Sequence, residues 1–194
     1  MIIGLTGQTG AGKSTVCEFF SKKGFAVIDC DKVAREVTQK GNPVLLKLAE
    51  CFGDDILSDD GNLNRRLLAN RAFASEEKTK LLNSITHPEI YKAIQNKIKN
   101  TTNDIIVLDA PTLFESGANK LCDKVVAVIA PSEIRKERIM KRDLISEEQA
   151  KLRMSAQKND EFYIEKSDAV VENNCSHREL TVQIEQALNS IGVK

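Results

Sequence analysis

The first sixteen residues, "MIIGLTGQTGAGKSTV", limit what this chain can fold into more than any other stretch. An apolar run, Met1 to Thr6, leads into a turn containing Gly7, Gly10 and Gly12. A helical pattern follows, with Val16, Phe19 and Phe20 on one side. A buried strand passing at once into a helix, with so little side chain between, reads as the opening of a parallel α/β sheet. The turn fits Gly7-x-x-x-x-Gly12-Lys13-Ser14, the phosphate-loop pattern, with the strand before and helix after that the pattern needs. Glycines let the backbone curl until successive N–H groups converge on phosphate oxygens. The starting helix adds its positive end to the same anion site. Gly10, Ala11, Gly12, Lys13, Ser14 and Thr15 are therefore the candidate contacts to ATP. Lys13, expected as an exposed loop-end side chain, reaches for the β- and γ-phosphates, and the Ser14 hydroxyl for Mg2+.

Further apolar runs at "FAVID" (25–29), "DIIVLDA" (104–110) and "KVVAVIA" (124–130) read as buried parallel strands, with a weaker fifth at "DAVVEN" (168–173). The interval 31–103 breaks this rhythm. Its expected helices, about 31–39, 43–52, 64–73, 76–84 and 87–99, form an insertion between the second and third strands. A polar segment, 132–158, reads as a charged helix pair joined near "RDLIS". The expected architecture is a single α/β domain of the P-loop nucleotide kinase-like type: a parallel sheet flanked by helices, with a helical acceptor-binding insertion and a helical lid. Its nucleotide-binding core comprises 1–30, 104–131 and 159–194.

Candidate chemistry lies at the strand ends, which face the ligand crevice in open parallel sheets. "VIDCDKVAR" puts Asp29 and Asp31 there. In an extended chain the two would point the same way, one taking the proton of an attacking hydroxyl and the other organising magnesium waters. A helix-capping role for Asp31 is the alternative. Asp109, closing "IIVLDAP", resembles a magnesium carboxylate, or is a strand-end aspartate before Pro111. In "SEIRKERIMKRD", Arg135, Arg138 and Arg142 recur at helical spacing behind Ser132 as candidate N-cap. Such a run is a solvated charged helix or a lid that brings guanidinium groups to a transferring phosphoryl. In "ITHPEIYKAI", Thr86 and Glu89 make a capping box with Pro88 in the first turn, so the pattern alone gives His87 no function.

Composition narrows the classes. Lys+Arg and Asp+Glu both number 28, a balance that argues against a nucleic-acid partner. Cysteines at 17, 30, 51, 122 and 175 form no C-x-x-C pair and are odd in number, so reduced thiols in the cytoplasm are expected. The N-terminus enters the first apolar run without a basic leader, and no run reaches the length of a membrane span. A switch GTPase would need N-K-x-D after a late strand. Asn119-Lys120-Leu121-Cys122-Asp123 is one residue too long and precedes a strand.

Taken in order, these motifs resemble the dephospho-coenzyme A kinase family over most of the chain. The family's L-T-G-x-x-x-G-K-S-T loop is matched by Leu5 to Thr15, with an extra glycine at Gly10. Its D-x-D-x-x-A-R is matched at Asp29, Asp31, Ala34 and Arg35, and its H-P pair at His87-Pro88. Its P-L-L-F-E falls at Pro111 to Glu115. The lid pattern R-x-x-x-R-D with a later R-x-x-x-Q falls at Arg138, Arg142, Asp143, Arg153 and Gln157, and A-D-x-V-I-x-N at Ser167 to Asn173. Thr112 stands for the usual leucine, Ser167 for alanine, and Arg135 where glutamine is common. The resemblance implies transfer of the ATP γ-phosphate to the ribose 3′-hydroxyl of dephospho-coenzyme A, with Mg2+. It makes Asp31 the base, Arg142 the lid arginine and Arg138 a second nucleotide contact. Asn173 lies by the adenine pocket, and Asp29, Arg35, His87 and Pro111 serve the acceptor. Small-molecule substrates, no membrane, and a monomer or weak homo-oligomer complete the expectation.

Rivals remain on the sequence. A shikimate-type kinase also pairs a P-loop with D-x-D, but carries a glycine triplet where this chain has "DAPTLFE". A nucleoside monophosphate kinase phosphorylates a phosphate and needs no carboxylate base. A regulatory nucleotide-binding module needs neither the aspartate pair nor an arginine-rich lid.

Overall fold

A computed structural model describes residues 1–174 and 177–193; Cys175, one of the expected thiols, lies outside the described residues. In chain order the elements are β1 (Ile2–Gly7), α1 (Lys13–Lys22), β2 (Ala26–Asp29), α2 (Cys30–Val37), α3 (Pro43–Phe52), α4 (Arg65–Ala72), α5 (Glu76–Lys99), β3 (Ile106–Asp109), β4 (Lys124–Ile129), α6 (Ser132–Asp143), α7 (Glu147–Ser155), α8 (Asp160–Lys166), β5 (Ala169–Glu172) and α9 (His177–Ser190). The chain divides into two compact units, one of Met1–Ile28 with Asn103–Lys194 and one of Asp29–Thr102.

The first unit is built on a five-stranded sheet of order β2-β3-β1-β4-β5. β1 pairs in parallel with β3 and β4, and β4 with β5. Strand alternation splits the core into two faces. Val126 and Val128 of β4 join Ile3, Leu5, Val107 and Val171 beneath Val16 and Phe20 of α1 and Leu180, Ile184 and Leu188 of α9. Ala127 and Ile129, one residue out of phase, pack with Tyr163 of α8 on the opposite face. There Phe114 and Phe162 meet edge to face, ring centroids 5.5 Å apart, an arrangement the ring quadrupoles favour. α1 ends at Lys23 and Gly24, whose φ of 90° suits a residue without Cβ.

The helical unit has its own apolar cluster, with Val37 of α2, Val44, Leu48 and Phe52 of α3, Ile56, and Leu68 and Ala72 of α4. Arg71 ties the connection between α3 and α4, gripping both Asp55 oxygens and the Phe52 carbonyl (2.6 Å). The Arg71 hydrogen bonds hold the Asp55 carboxyl below the usual range.

Three local expectations change. α5 is one helix through Pro88, not two segments meeting at a capping box. Proline cannot donate to the Ser84 carbonyl, yet the helix continues. The Thr86 hydroxyl bonds back to the Leu82 carbonyl at 2.9 Å rather than capping a new helix. Apolar Leu82, Ile85, Ile90 and Ala93 pack on the unit's core on both sides of the proline, so tertiary burial overrides the break. α6 opens one residue earlier than expected, with Pro131 rather than Ser132 at the N-cap. The chain also does not stay extended through Asp31: β2 ends at Asp29 and α2 starts at Cys30.

Candidate active site

The loop after β1 sits at the C-terminal end of the sheet. Gly12 is the N-cap of α1 in the left-handed region, φ 92°, with no side-chain cap. A side chain there would be strained, and its Cβ would lie 2.0 Å from Asn173 Nδ2. At Gly10, φ 78°, a Cβ would lie 2.7 Å from the Arg135 carbonyl oxygen. Close walls therefore exclude a side chain at Gly10 and Gly12, and the loop's shape is fixed from outside. Asn173, buried just after β5, donates to the Ala11 carbonyl at 2.8 Å. Arg138 Nη1 donates to the Gly10 and Ala11 carbonyls at 3.3 and 3.4 Å, and its Nη2 reaches Asn173 Oδ1 at 3.4 Å. Because a trans peptide points its C=O and N–H in opposite directions, fastening the Ala11 carbonyl turns the Gly12 N–H the other way. The first N–H groups of α1 have no intrahelical acceptor. Thr15 is the first to bond back, to the Gly12 carbonyl at 3.0 Å. The result is a converging set of donors at the positive end of a helix.

Lys13 is paired with Asp109, contrary to the expectation of an exposed side chain; each side chain is 16% exposed. The pairing follows from register. β1 and β3 are neighbours with Leu5 opposite Asp109, so the last residue of β3 lies beside the start of the loop. Thr6 of β1 donates to the Pro111 carbonyl at 3.3 Å, which holds the segment after β3 against the same strand.

The loop with α6 and α7 lines an open cleft of about 1060 Å³, to which Lys13, Pro111, Arg138, Arg142, Arg153 and Asn173 contribute. The volume suits a large ligand. Arg142 makes two bonds to Asp143, Nε–Oδ1 at 2.8 Å and Nη2–Oδ2 at 2.9 Å, and Arg153 of α7 pairs with the same carboxylate. Bonding to Arg142, with the charges of Arg142 and Arg153, holds the Asp143 carboxyl below its ordinary range. Arg135 departs from the expected arginine face. It is buried, and its Nε donates to the Ala130 carbonyl at 3.0 Å, securing the start of α6. Burial pushes its pKa down.

The remaining candidates belong to the helical unit. Asp29, not Asp31, caps α2, accepting from the Lys32 N–H at 2.9 Å. Asp31 lies in the first turn of α2, exposed, where a carboxylate favours the helix dipole. Arg35, exposed on α2, stands with Arg65 beside a groove of about 210 Å³ lined mainly by apolar residues such as Leu68, Phe73 and Ile90. Arg65 holds that edge through the Thr38 hydroxyl at 2.9 Å and the Arg35 carbonyl at 3.2 Å. His87 sits half-buried in α5, and burial shifts its imidazole toward the neutral form.

Residue-by-residue reading overlooked the grip on the loop from its other side. Gln157 Oε1 accepts from the Thr9 N–H at 2.8 Å, and Gln8 Nε2 donates to the Lys158 carbonyl at 2.9 Å. Gln8 fills a variable place in the loop pattern, and Gln157 stood only as the last letter of a lid motif.

A phosphate loop on a parallel sheet, faced by arginines and carrying no guanine-reading sequence, puts the molecule in the class of P-loop kinases. The comparison with known families narrows the class. A profile described as dephospho-CoA kinase matches residues 1–179, and the chain belongs to that family of coenzyme A biosynthesis kinases. It is 38% identical over 191 residues to the dephospho-CoA kinase of Fusobacterium nucleatum, covering 98% of each chain. It superposes on the dephospho-CoA kinase from Campylobacter jejuni with a TM-score of 0.72 at 30% identity, over 98% of this chain and 96% of that one. Shikimate kinase from Bacteroides thetaiotaomicron matches with a TM-score of 0.57 at 11% identity, a likeness of fold alone. The motif resemblance is thus confirmed, and the shikimate-type rival is not favoured.

Proposed function

We propose that the chain transfers the γ-phosphoryl group of ATP to the ribose 3′-hydroxyl of dephospho-coenzyme A, giving coenzyme A and ADP. The observation that carries this is the open, glycine-capped helix end with Lys13 at its foot, in a chain of the dephospho-CoA kinase family. In the reaction the Asp31 carboxylate takes the proton of the acceptor hydroxyl, the new O–P bond forms, and the bond from the γ-phosphorus to the ADP oxygen breaks in line. Lys13 exchanges part of its contact with Asp109 for the β- and γ-phosphate oxygens. Arg142, leaving Asp143, stabilises the charge spread over the transferring group. Gly10, Ala11, Gly12, Ser14 and Thr15 cradle the phosphates, while Arg138 and Asn173 serve the nucleotide from the wall behind. Asp29, Arg35, His87 and Pro111 contact the acceptor.

The donor set suits Mg2+, which keeps most of its waters and takes few protein ligands beside phosphate. Among the described residues no cluster of three metal-ligating side chains exists; Ser14 at the head of α1 and Asp109 at the end of β3 are the pair that would hold it. When bound, the ion neutralises charge on the β- and γ-phosphates.

The protein is read as a monomer or weak homo-oligomer, and work in the cytoplasm agrees with Cys51 and Cys122 being outside any disulfide. Burial and Asp123 push the Cys122 thiol up to about 12, so it is inert. Among the described residues no helix is long and apolar enough to cross a membrane. Incubation with ATP, magnesium and dephospho-coenzyme A should yield coenzyme A by mass spectrometry. Turnover of ATP with shikimate or a nucleoside monophosphate in its place would sink the reading.

A further inference from the structure

A loop with glycine at positions 7, 10 and 12 has little shape of its own. Its carbonyls at Gly10 and Ala11 are fastened by Arg138 and Asn173. Its amide at Thr9 is fastened from another element, the segment just after α7, by Gln157 Oε1 at 2.8 Å. At the neighbouring pair the loop supplies the side chain instead, with Gln8 Nε2 donating to the Lys158 carbonyl at 2.9 Å. Two adjacent loop residues thus donate to two adjacent residues at the end of the helix pair, one bond using a side chain from each segment.

This joint is polar. Gln8 is 4% and Arg135 7% exposed, and Gln8 Oε1 and Arg135 Nη1 have no partner among the described residues. Both residues line a pocket of about 390 Å³ with Gln157, Lys158 and Asp160. The directional bonds therefore join the two segments across polar surroundings. Gln157 also follows the lid's arginine cluster closely. Its N–H bonds to the Met154 carbonyl at 3.1 Å, and Arg153, four residues before it, shares Asp143 with Arg142.

We infer that Gln157 is a positioning residue: it holds the Thr9 end of the loop in its phosphate-binding shape and ties that shape to the place of the lid. The inference rests on the reading of the loop as a nucleotide phosphate site. A residue acting this way matters only to a ligand whose phosphates enter the loop. ADP puts its β-phosphate there, whereas AMP has none to offer. Gln157→Leu removes the acceptor, and the loop escapes the cost of an unpaired Thr9 N–H by moving away from its phosphate-binding shape, so the loss falls on phosphate binding rather than on the fold.

Calorimetric titration of wild type and Gln157→Leu with ADP and with AMP tests this. Expected for the variant are an ADP Kd about tenfold weaker, an AMP Kd within about twofold of wild type, and an unchanged melting temperature without ligand. Unchanged ADP affinity overturns the inference. So does an equal loss for ADP and AMP, which would make Gln157 a contact to the nucleoside or a general structural residue. Should the variant not fold, the wild type still decides, since its Thr9 amide must exchange slowly by NMR before ADP is added; rapid exchange overturns the inference. Wild-type protein that binds no ADP would instead bring down the phosphate-loop reading itself.

Discussion

The α-helices of the helical unit and α1 of the sheet unit start in opposite ways. Every α-helix of the helical unit is closed by a side chain at its N-terminus: Asp29 for α2, Asn42 for α3, Asn64 for α4 and Ser75 for α5. α1 of the sheet unit starts at Gly12, which has no side chain to offer. A side-chain cap satisfies donors that would otherwise be orphaned and stabilises the helix by about 1 kcal/mol. At Gly12 that stabilisation is forgone, and the left-handed turn at φ 92°, open to a residue without Cβ, is held by bonds from Asn173 and Arg138 to the carbonyls around it. The difference separates a helix end that completes a fold from one kept open for an anion. In the first kind, polar residues serve the backbone; in the second, the backbone serves the ligand.

The strongest blow to this contrast should come from Lys13→Ala. Removing the cation at the open end should cut phosphoryl transfer about 10³- to 10⁵-fold, the span for losing a cation from the transferring group. Coupled-assay turnover reads this directly, and near wild-type turnover would refute the phosphate-loop role. Because Lys13 also balances Asp109, the variant is expected to lose some stability as well, which a melting curve separates from the catalytic loss.

Next in size is Asp31→Asn. Asp29, not Asp31, supplies the cap of α2, and replacing Asp31 should lower kcat about 10²- to 10⁴-fold, far more than any loss of melting temperature would account for. A variant that melts early but turns over normally per folded molecule would return Asp31 to a purely helical role.

Asn64→Ala tests the other side of the comparison. It strips the α4 cap, whose Oδ1 accepts from the Leu67 N–H at 3.0 Å. The expected cost is about 1 kcal/mol, or roughly 2–4 °C in melting temperature for a chain of this size, with kcat unaltered. A cap deletion that slowed catalysis more than it destabilised the protein would blur the distinction between the two kinds of helix end.

The smallest effect concerns the end of α6 and its partner in α7. The Asp143 carboxyl is depressed in the folded protein, first by its bonds to Arg142. A depressed acid stabilises the fold above its unfolded value, about 3.9, and loses that contribution as pH falls through the folded value. The stability difference between wild type and Asp143→Asn should therefore be constant from pH 8 to 5 and shrink below about pH 4. A difference that instead grew on acidification would contradict the assigned pairing.

Much of this was legible in sequence because its causes are local. The β1–loop–α1 unit, the apolar strands and the strand-end aspartates each declare themselves within a few residues. Where local signals compete, the reading failed. "DCD" offers two caps, and the chain used the first. "THPE" carries a full helix-start signature, yet burial on both sides of Pro88 drew α5 through it. "IRKER" is patterned like a solvated face, yet Arg135 turned inward to the Ala130 carbonyl.

By itself the sequence determined the class of fold, the open glycine loop and the set of residues able to do phosphoryl chemistry, because periodicity, glycine spacing and residue type act over one or two turns of chain. Tertiary structure alone decided which of those residues meet. Lys13 and Asp109 are 96 positions apart, Ala11 and Asn173 162, Thr9 and Gln157 148. Sheet order and helix packing create such neighbours, and no window along the chain contains both partners. The bonds that give the glycine loop its shape are of this kind, since a segment chosen for freedom from side chains must take its rigidity from elsewhere in the molecule.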